Sequence, residues 1–228
     1  MMKTKLTILL GLLLMFSAFT SEKQVITIFT IGDSTMANKP LEGGNPERGW
    51  GQMLSRYFSE EIVIDNHAVN GRSSKSFIDE GRWDKVLAKL KKGDYVFIQF
   101  GHNDEKRDEK RHTDPGTTFD ANLKRFVEEA RAKGAIPVLF NSIVRRNFGK
   151  ADADAVAKAV VQDDIREDID PNAPQAEVKT GARLIDTHVA YLDSPRNVAR
   201  ELEVPFVDLN RVTHDLVEQI GPEASKQL

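Results

Sequence analysis

"TIFTIGDSTM", residues 27–36, decides how the rest of the chain is read. Residues 25–31 form a short apolar run rich in β-branched side chains, the pattern of a buried strand. The run stops at Gly32 and is followed at once by Asp33, Ser34 and Thr35. A strand that ends on glycine and then presents a serine holds a hydroxyl at the rim of a sheet. The same letters also describe an ordinary strand-to-helix turn, so the remaining elements must decide.

Four more apolar runs read as strands, at 62–64, 95–100, 135–140 and 204–208. Between them lie segments with helical spacing. Residues 50–58 place Trp50, Met53, Leu54, Tyr57 and Phe58 at that spacing. Residues 83–90 put Val86, Leu87 and Leu90 on one face. Residues 119–132 turn Leu123, Phe126, Val127 and Ala130 inward and Lys124, Arg125, Glu128, Glu129 and Arg131 outward. Helices are also expected over 189–202, weakened by Pro195, and over 212–220. Strands alternating with helices predict an α/β fold with a parallel sheet covered on both faces. In such sheets ligands sit at the carboxyl ends of strands. Three strands here end in polar blocks: Gly32-Asp33-Ser34, the run from Asn66 and His67 to Asn70 and Gly71, and Gly101-His102-Asn103-Asp104.

A length of 228 residues suits one domain. The net charge of -3 lacks the clustered positive charge that nucleic-acid binding requires. Lys3 and Lys5 precede an apolar run from Leu6 to Phe19, the pattern of a secretory signal peptide. The run is short of the ~20 apolar residues of a comfortable membrane span. Residues 1–20 are therefore expected to be a signal peptide, and 21–228 the domain of a secreted or periplasmic protein with no membrane contact after cleavage. With no cysteine, disulfides, thiolate metal sites and cysteine-linked lipid anchoring are excluded. Residues 150–181, Ala-rich and then acidic, read as an insertion after the fourth strand. Such insertions either sit over a site or are surface excursions.

A serine hydroxyl is a weak nucleophile that needs a proton acceptor and donors for the oxyanion formed on attack. Ser34 is a candidate for the hydroxyl, and the Gly71 N–H and the Asn103 amide are candidate donors. In order, the three blocks resemble those of the SGNH (GDSL) hydrolase family. "IGDSTMA", "RGWGQML", "FIDEGRWDKVL" and "IQFGHNDEKR" look more specifically like its rhamnogalacturonan acetylesterase branch. The resemblance implies a three-layer α/β/α fold with a flavodoxin-like sheet. It implies Ser34 as nucleophile and an oxyanion hole from the N–H of Ser34, the N–H of Gly71 and the carboxamide of Asn103. It implies acetate release from a pectic polysaccharide or oligosaccharide through a serine ester, with no metal or organic cofactor. A monomer is expected.

The family places its base and orienting acid in a C-terminal Asp-x-x-His, and no Asp-x-x-His occurs in this sequence. The expectation is a piece of a longer enzyme, its C-terminal part missing. None of the five histidines is a preferred substitute. His188 has the wrong spacing to Asp186; His214 reads as surface or capping; His102 lines the site or supports Asn103; His67 reads as packed; His112 lies in a charged loop. Asp33 is read as orienting the Ser34 turn and Asp104 as tying down the Asn103 loop. Arg72, Ser73 and Ser74 read either as sugar contacts or as solvated loop. Trp50 and Trp83 read as core, and residues 105–112 as a solvated charged loop. Two other readings compete: a non-catalytic carbohydrate-binding relic of the same fold, and a metal-dependent phosphoesterase using pairs such as His112/Asp114 and Asp186/His188.

Overall fold

The computed structural model describes residues 25–149 and 183–227. The expected signal peptide, and the 150–181 insertion apart from its stem, lie outside the described residues. Five strands form one parallel sheet: β1 (Ile26–Gly32), β2 (Ile62–Asn66), β3 (Tyr95–Gln99), β4 (Ile136–Phe140) and the short β7 (Phe206–Val207), in the order β2-β1-β3-β4-β7. The registers pair Ile26 with Ile62, Ile28 with Tyr95, Tyr95 with Ile136 and Leu139 with Phe206. A two-stranded antiparallel ribbon, β5 (Phe148–Gly149) with β6 (Arg183–Leu184), forms the stem of the insertion.

This is the flavodoxin-like order. The chain first builds outward to β2 and then reverses past β1 to β3, so the crevice between β1 and β3 is the topological switch point. The blocks that follow β1, β2 and β3 therefore emerge side by side. Period-two alternation along the strands sends Phe29, Ile31, Val96, Ile98 and Leu139 into the main core. Covering that face are α2 (Ser74–Asp79), α3 (Arg82–Leu87), α4 (Thr118–Ala132) and α5 (Ala190–Glu201). Leu123, Phe126, Val127 and Ala130 are the inward stripe of α4, all fully buried. Phe126 stacks on Phe100 and meets Phe77 and Trp83 edge-on. Each such ring buried contributes about 1.5–3 kcal/mol by removal from water. Against the other face, α1 (Trp50–Met53) lays Trp50 on Phe140; α6 (Leu209–Ala224) packs Val217 with Val144 and with Leu184 of the ribbon.

Several local expectations change. The apolar spacing over 50–58 gives only one turn of α-helix before the chain tightens to 3₁₀ over Leu54–Tyr57. In 3₁₀ winding, residues i and i+3 eclipse and the stripe rotates outward, leaving Tyr57 80% exposed. Helix α2 lies where no helix was expected; Ser73 caps it, and Ser76 accepts from the Ser73 N–H in a capping box. Helix α5 runs through Pro195, whose ring is buried. Helix α6 starts earlier than the spacing suggested, because the Asp208 carboxylate accepts from the Arg211 N–H as its cap, and it breaks at Gly221.

Candidate active site

The Ser34 turn is built by Asp33. Its carbonyl accepts from the N–H groups of Met36 and Ala37, at 3.2 and 3.0 Å. Its fully buried carboxylate accepts at Oδ1 from the Thr35 N–H, 2.9 Å, and hydroxyl, 2.8 Å. Gln99, the last residue of β3 and fully buried, donates to Asp33 Oδ2 at 3.3 Å and accepts from Trp50 Nε1 at 3.0 Å. Between β1 and β3, Gly32 has no room for a side chain, since a Cβ there would stand 2.6 Å from the Gln99 carbonyl. Ser34 is left half-buried at the rim. Neither its N–H nor its hydroxyl makes a hydrogen bond among the described residues.

Gly71 lies on the loop after β2. That loop is tied to β1 by the N–H of His67 on the Thr30 carbonyl, 2.8 Å, and the N–H of Val69 on the Gly32 carbonyl, 3.0 Å. Gly71 has a φ of 71°, the left-handed region, which accounts for glycine there. A Cβ would meet nothing within 4 Å, so the requirement is conformational and the space above is open. The Asn103 carboxamide, almost fully buried, donates from Nδ2 to the Arg72 carbonyl at 3.2 Å and accepts at Oδ1 from Arg111 at 3.4 Å. Three loops are thus laced together at hydrogen-bond distance above the switch point, and Asn103 Nδ2 keeps a second proton.

Asp104 is fully buried. Its Oδ1 accepts from the Ser74 N–H and hydroxyl and the Thr113 hydroxyl, and its Oδ2 from the Gly101 N–H. Burial pushes this carboxyl up to about 7, while the bonds from Ser74 and Thr113 pull the other way. Ser73 and Ser74 are therefore interior groups rather than sugar contacts, and Arg72 pairs with Glu80 at 3.1 Å. The 105–112 segment is also less solvated than its composition suggested. Lys106 is 4% exposed and Glu105 is mostly enclosed.

None of the five histidines bonds to Ser34 among the described residues. His67 pairs with Asp65 at 3.0 Å and lies near the Phe29 ring. His112 contacts the Lys106 carbonyl and, at 3.3 Å, Asp114. His214 lies 3.9 Å from both Asp215 and Glu218. His102 and His188 are stacked, with ring centroids 4.3 Å apart. Burial first, then His188 and Arg145, hold His102 down at about 3. Burial first, then Arg145, does the same for His188. Both rings are accordingly neutral at pH 7. His102 Nε2 donates to the Ile143 carbonyl at 3.0 Å, and the single proton of His188 goes to Nδ1, 3.0 Å from the stronger acceptor, Glu105. Asp186 accepts from the His188 N–H and so forms a turn. Among the described residues no group of three His, Asp or Glu is placed to hold a metal ion, and no helix is long and apolar enough to cross a membrane.

Sequence reading missed Gln99, Glu105 and Arg145, and it weighed His188 only against Asp186. A glutamine inside the apolar run "YVFIQF" was the available signal for the first. The others carry no local signal, because their partners lie about forty and eighty residues away.

Residues 30–225 match the GDSL-like lipase/acylhydrolase family. The chain is 37% identical over 206 residues to the rhamnogalacturonan acetylesterase RhgT of Bacillus subtilis, covering 90% of this chain and 74% of that one. It is 38% identical over 122 residues to the probable rhamnogalacturonan acetylesterase YesY of the same organism, covering 53% and 55%. In fold it is similar to the crystal structure of B. subtilis YxiM, with a TM-score of 0.64 and 24% identity, over 89% of this chain and 48% of that one. Sheet order, switch-point loops and this span of likeness agree, and the protein belongs to the GDSL-like lipase/acylhydrolase family of carboxylic ester hydrolases.

Proposed function

We propose that the protein is a secreted acetylesterase that removes acetyl groups from a pectic polysaccharide, with Ser34 as nucleophile. Supporting this is one observation above all: the N–H of Ser34 and the N–H of Gly71 are unengaged among the described residues, and they share the rim with a carboxamide held at Asn103 by Arg72 and Arg111. In this reading Ser34 Oγ attacks the acetyl carbonyl. The three donors hold the oxygen that becomes negative, which removal of one donor in comparable sites shows to be worth about 10²–10³-fold in rate. The acetyl C–O bond to the sugar breaks, the departing sugar oxygen takes up the equivalent of the proton lost by Ser34, and water then hydrolyses the acetyl-serine to acetic acid and free Ser34. Asp33, Thr35 and Gln99 fix the nucleophile's turn, and Asp104 fixes the turn that carries Asn103. The polysaccharide and its acetyl groups are inferred from what RhgT and YesY are named for, and secretion from the charged and apolar pattern of residues 1–20.

A fluorophosphonate tests the nucleophile. Mass spectrometry should find the adduct on Ser34, and Ser34→Ala should abolish it. An unlabelled Ser34 would sink the serine mechanism. Acetate release from acetylated rhamnogalacturonan, compared with acetylated xylan, tests the substrate. Among the described residues no proton acceptor is hydrogen-bonded to Ser34 Oγ, which favours one second reading, a carbohydrate-binding protein without turnover. Under that reading the polysaccharide binds and no acetate appears.

A further inference from the structure

We propose that His188 is a positioning residue for the Asn103 carboxamide, working through a buried cluster with His102, Glu105 and Arg145. The inference rests on the reading of Asn103 as an oxyanion donor. His188 follows the insertion stem, immediately before α5, and its side chain is fully enclosed. Its ring covers that of His102, and its Nδ1 donates to Glu105 Oε2 at 3.0 Å. The other carboxylate oxygen of Glu105 takes Arg145, and Arg145 also donates to the His102 carbonyl at 3.0 Å. Residues 102 and 105 are thereby clamped from one side. From the other side, Ser74 and Thr113 hold the Asp104 carboxylate, and Tyr191 donates to the Thr113 carbonyl one helical turn after His188. Of the four residues 102–105, only Asn103 has a side chain left to reach the Gly71–Arg72 loop.

The cluster is an expensive way to hold a loop together if stability were its only role. Enclosed polar rings and an enclosed ion pair carry desolvation costs that well-packed apolar residues of the same volume avoid. What they add is direction. A donor aimed at one carboxylate oxygen, with a guanidinium on the other, defines the turn's orientation more narrowly than apolar contact does. Displacing a catalytic group by about 1 Å can cost up to 10²-fold.

The test uses the full chain labelled with ¹⁵N. His188→Phe keeps the stack and loses the donor to Glu105; His188→Asn keeps a donor near the Nδ1 position and loses the stack. In His188→Phe the side-chain amide signals of Asn103 should shift or double, those of Asn66 should stay in place, and kcat for 4-nitrophenyl acetate should fall at least tenfold with KM changed less than twofold. His188→Asn should return the Asn103 signals toward those of the parent. If His188→Phe does not fold, Glu105→Gln provides the same comparison. Asn103 signals that superimpose on the parent's, beside a lowered melting temperature, would make the cluster purely structural and overturn the proposal. If the parent itself turns over no faster than Ser34→Ala, the esterase reading fails, and the Asn103 signals still decide the positioning claim.

Discussion

The side-chain amide of Asn103 donates to the carbonyl of Arg72 at 3.2 Å, across 31 positions of sequence. This bond joins the loop after β3 to the loop after β2 beside Gly71, and it orients the remaining Nδ2 proton. Asn103→Ala should slow phosphonylation of Ser34 by about 10²-fold or more, since one preorganised donor is lost. Stability should fall by about 1–3 kcal/mol, since the bonds to the Arg72 carbonyl and from Arg111 are both lost at a buried site. Labelling kinetics beside urea denaturation separate the two effects.

Gly32 and Gly71 should respond differently to alanine. Gly71→Ala meets no neighbour and carries only the left-handed backbone cost, about 1–2 kcal/mol. Gly32→Ala drives a Cβ to 2.6 Å from the Gln99 carbonyl, so β1 and β3 must separate. We expect the larger loss of denaturation free energy at Gly32, and a loss at Gly71 confined to that range.

Acid stability should depend on His102. Its ring ionises near 6.5 when unfolded and near 3 when folded, so between these values the unfolded chain takes up a proton that the native chain refuses. Stability present above pH 6.5 is therefore lost as pH falls toward 3, by up to about 1.4 kcal/mol per pH unit. His102→Gln should flatten the dependence between pH 4 and 6 by about that amount in urea titrations. Asp104 acts with the opposite sign. Its carboxyl, raised from 3.8 to about 7, adds stability at low pH that is lost as pH rises through 7; His188, held at about 3, acts with the sign of His102, so the measured slope in the parent is the difference between the two histidines and Asp104.

Asp104→Ala should be among the more damaging single changes. It leaves the N–H groups of Ser74 and Gly101 and the Thr113 hydroxyl facing a dry space. Each unpaired buried donor costs about 1–3 kcal/mol, so a loss of about 3 kcal/mol or more is expected, read as a fall in the denaturation midpoint.

Local sequence determined the sheet and the rim. Short apolar runs rich in β-branched residues marked the strands, and the stripe of α4 follows from 3.6-residue spacing, because both patterns are properties of a few consecutive residues. Once strands alternate with helices, the parallel order brings the blocks at Ser34, Gly71 and Asn103 to the same end of the sheet. The tertiary structure alone decided which polar residues are enclosed. Ser74 read either as a sugar contact or as solvated loop because its partner, Asp104, lies thirty positions on. His188 read as a mis-spaced base, and it stands instead against Glu105, 83 positions away, with its ring on His102. A side chain's burial and its hydrogen-bond partner depend on where the chain returns in space, and no window of neighbouring residues carries that information.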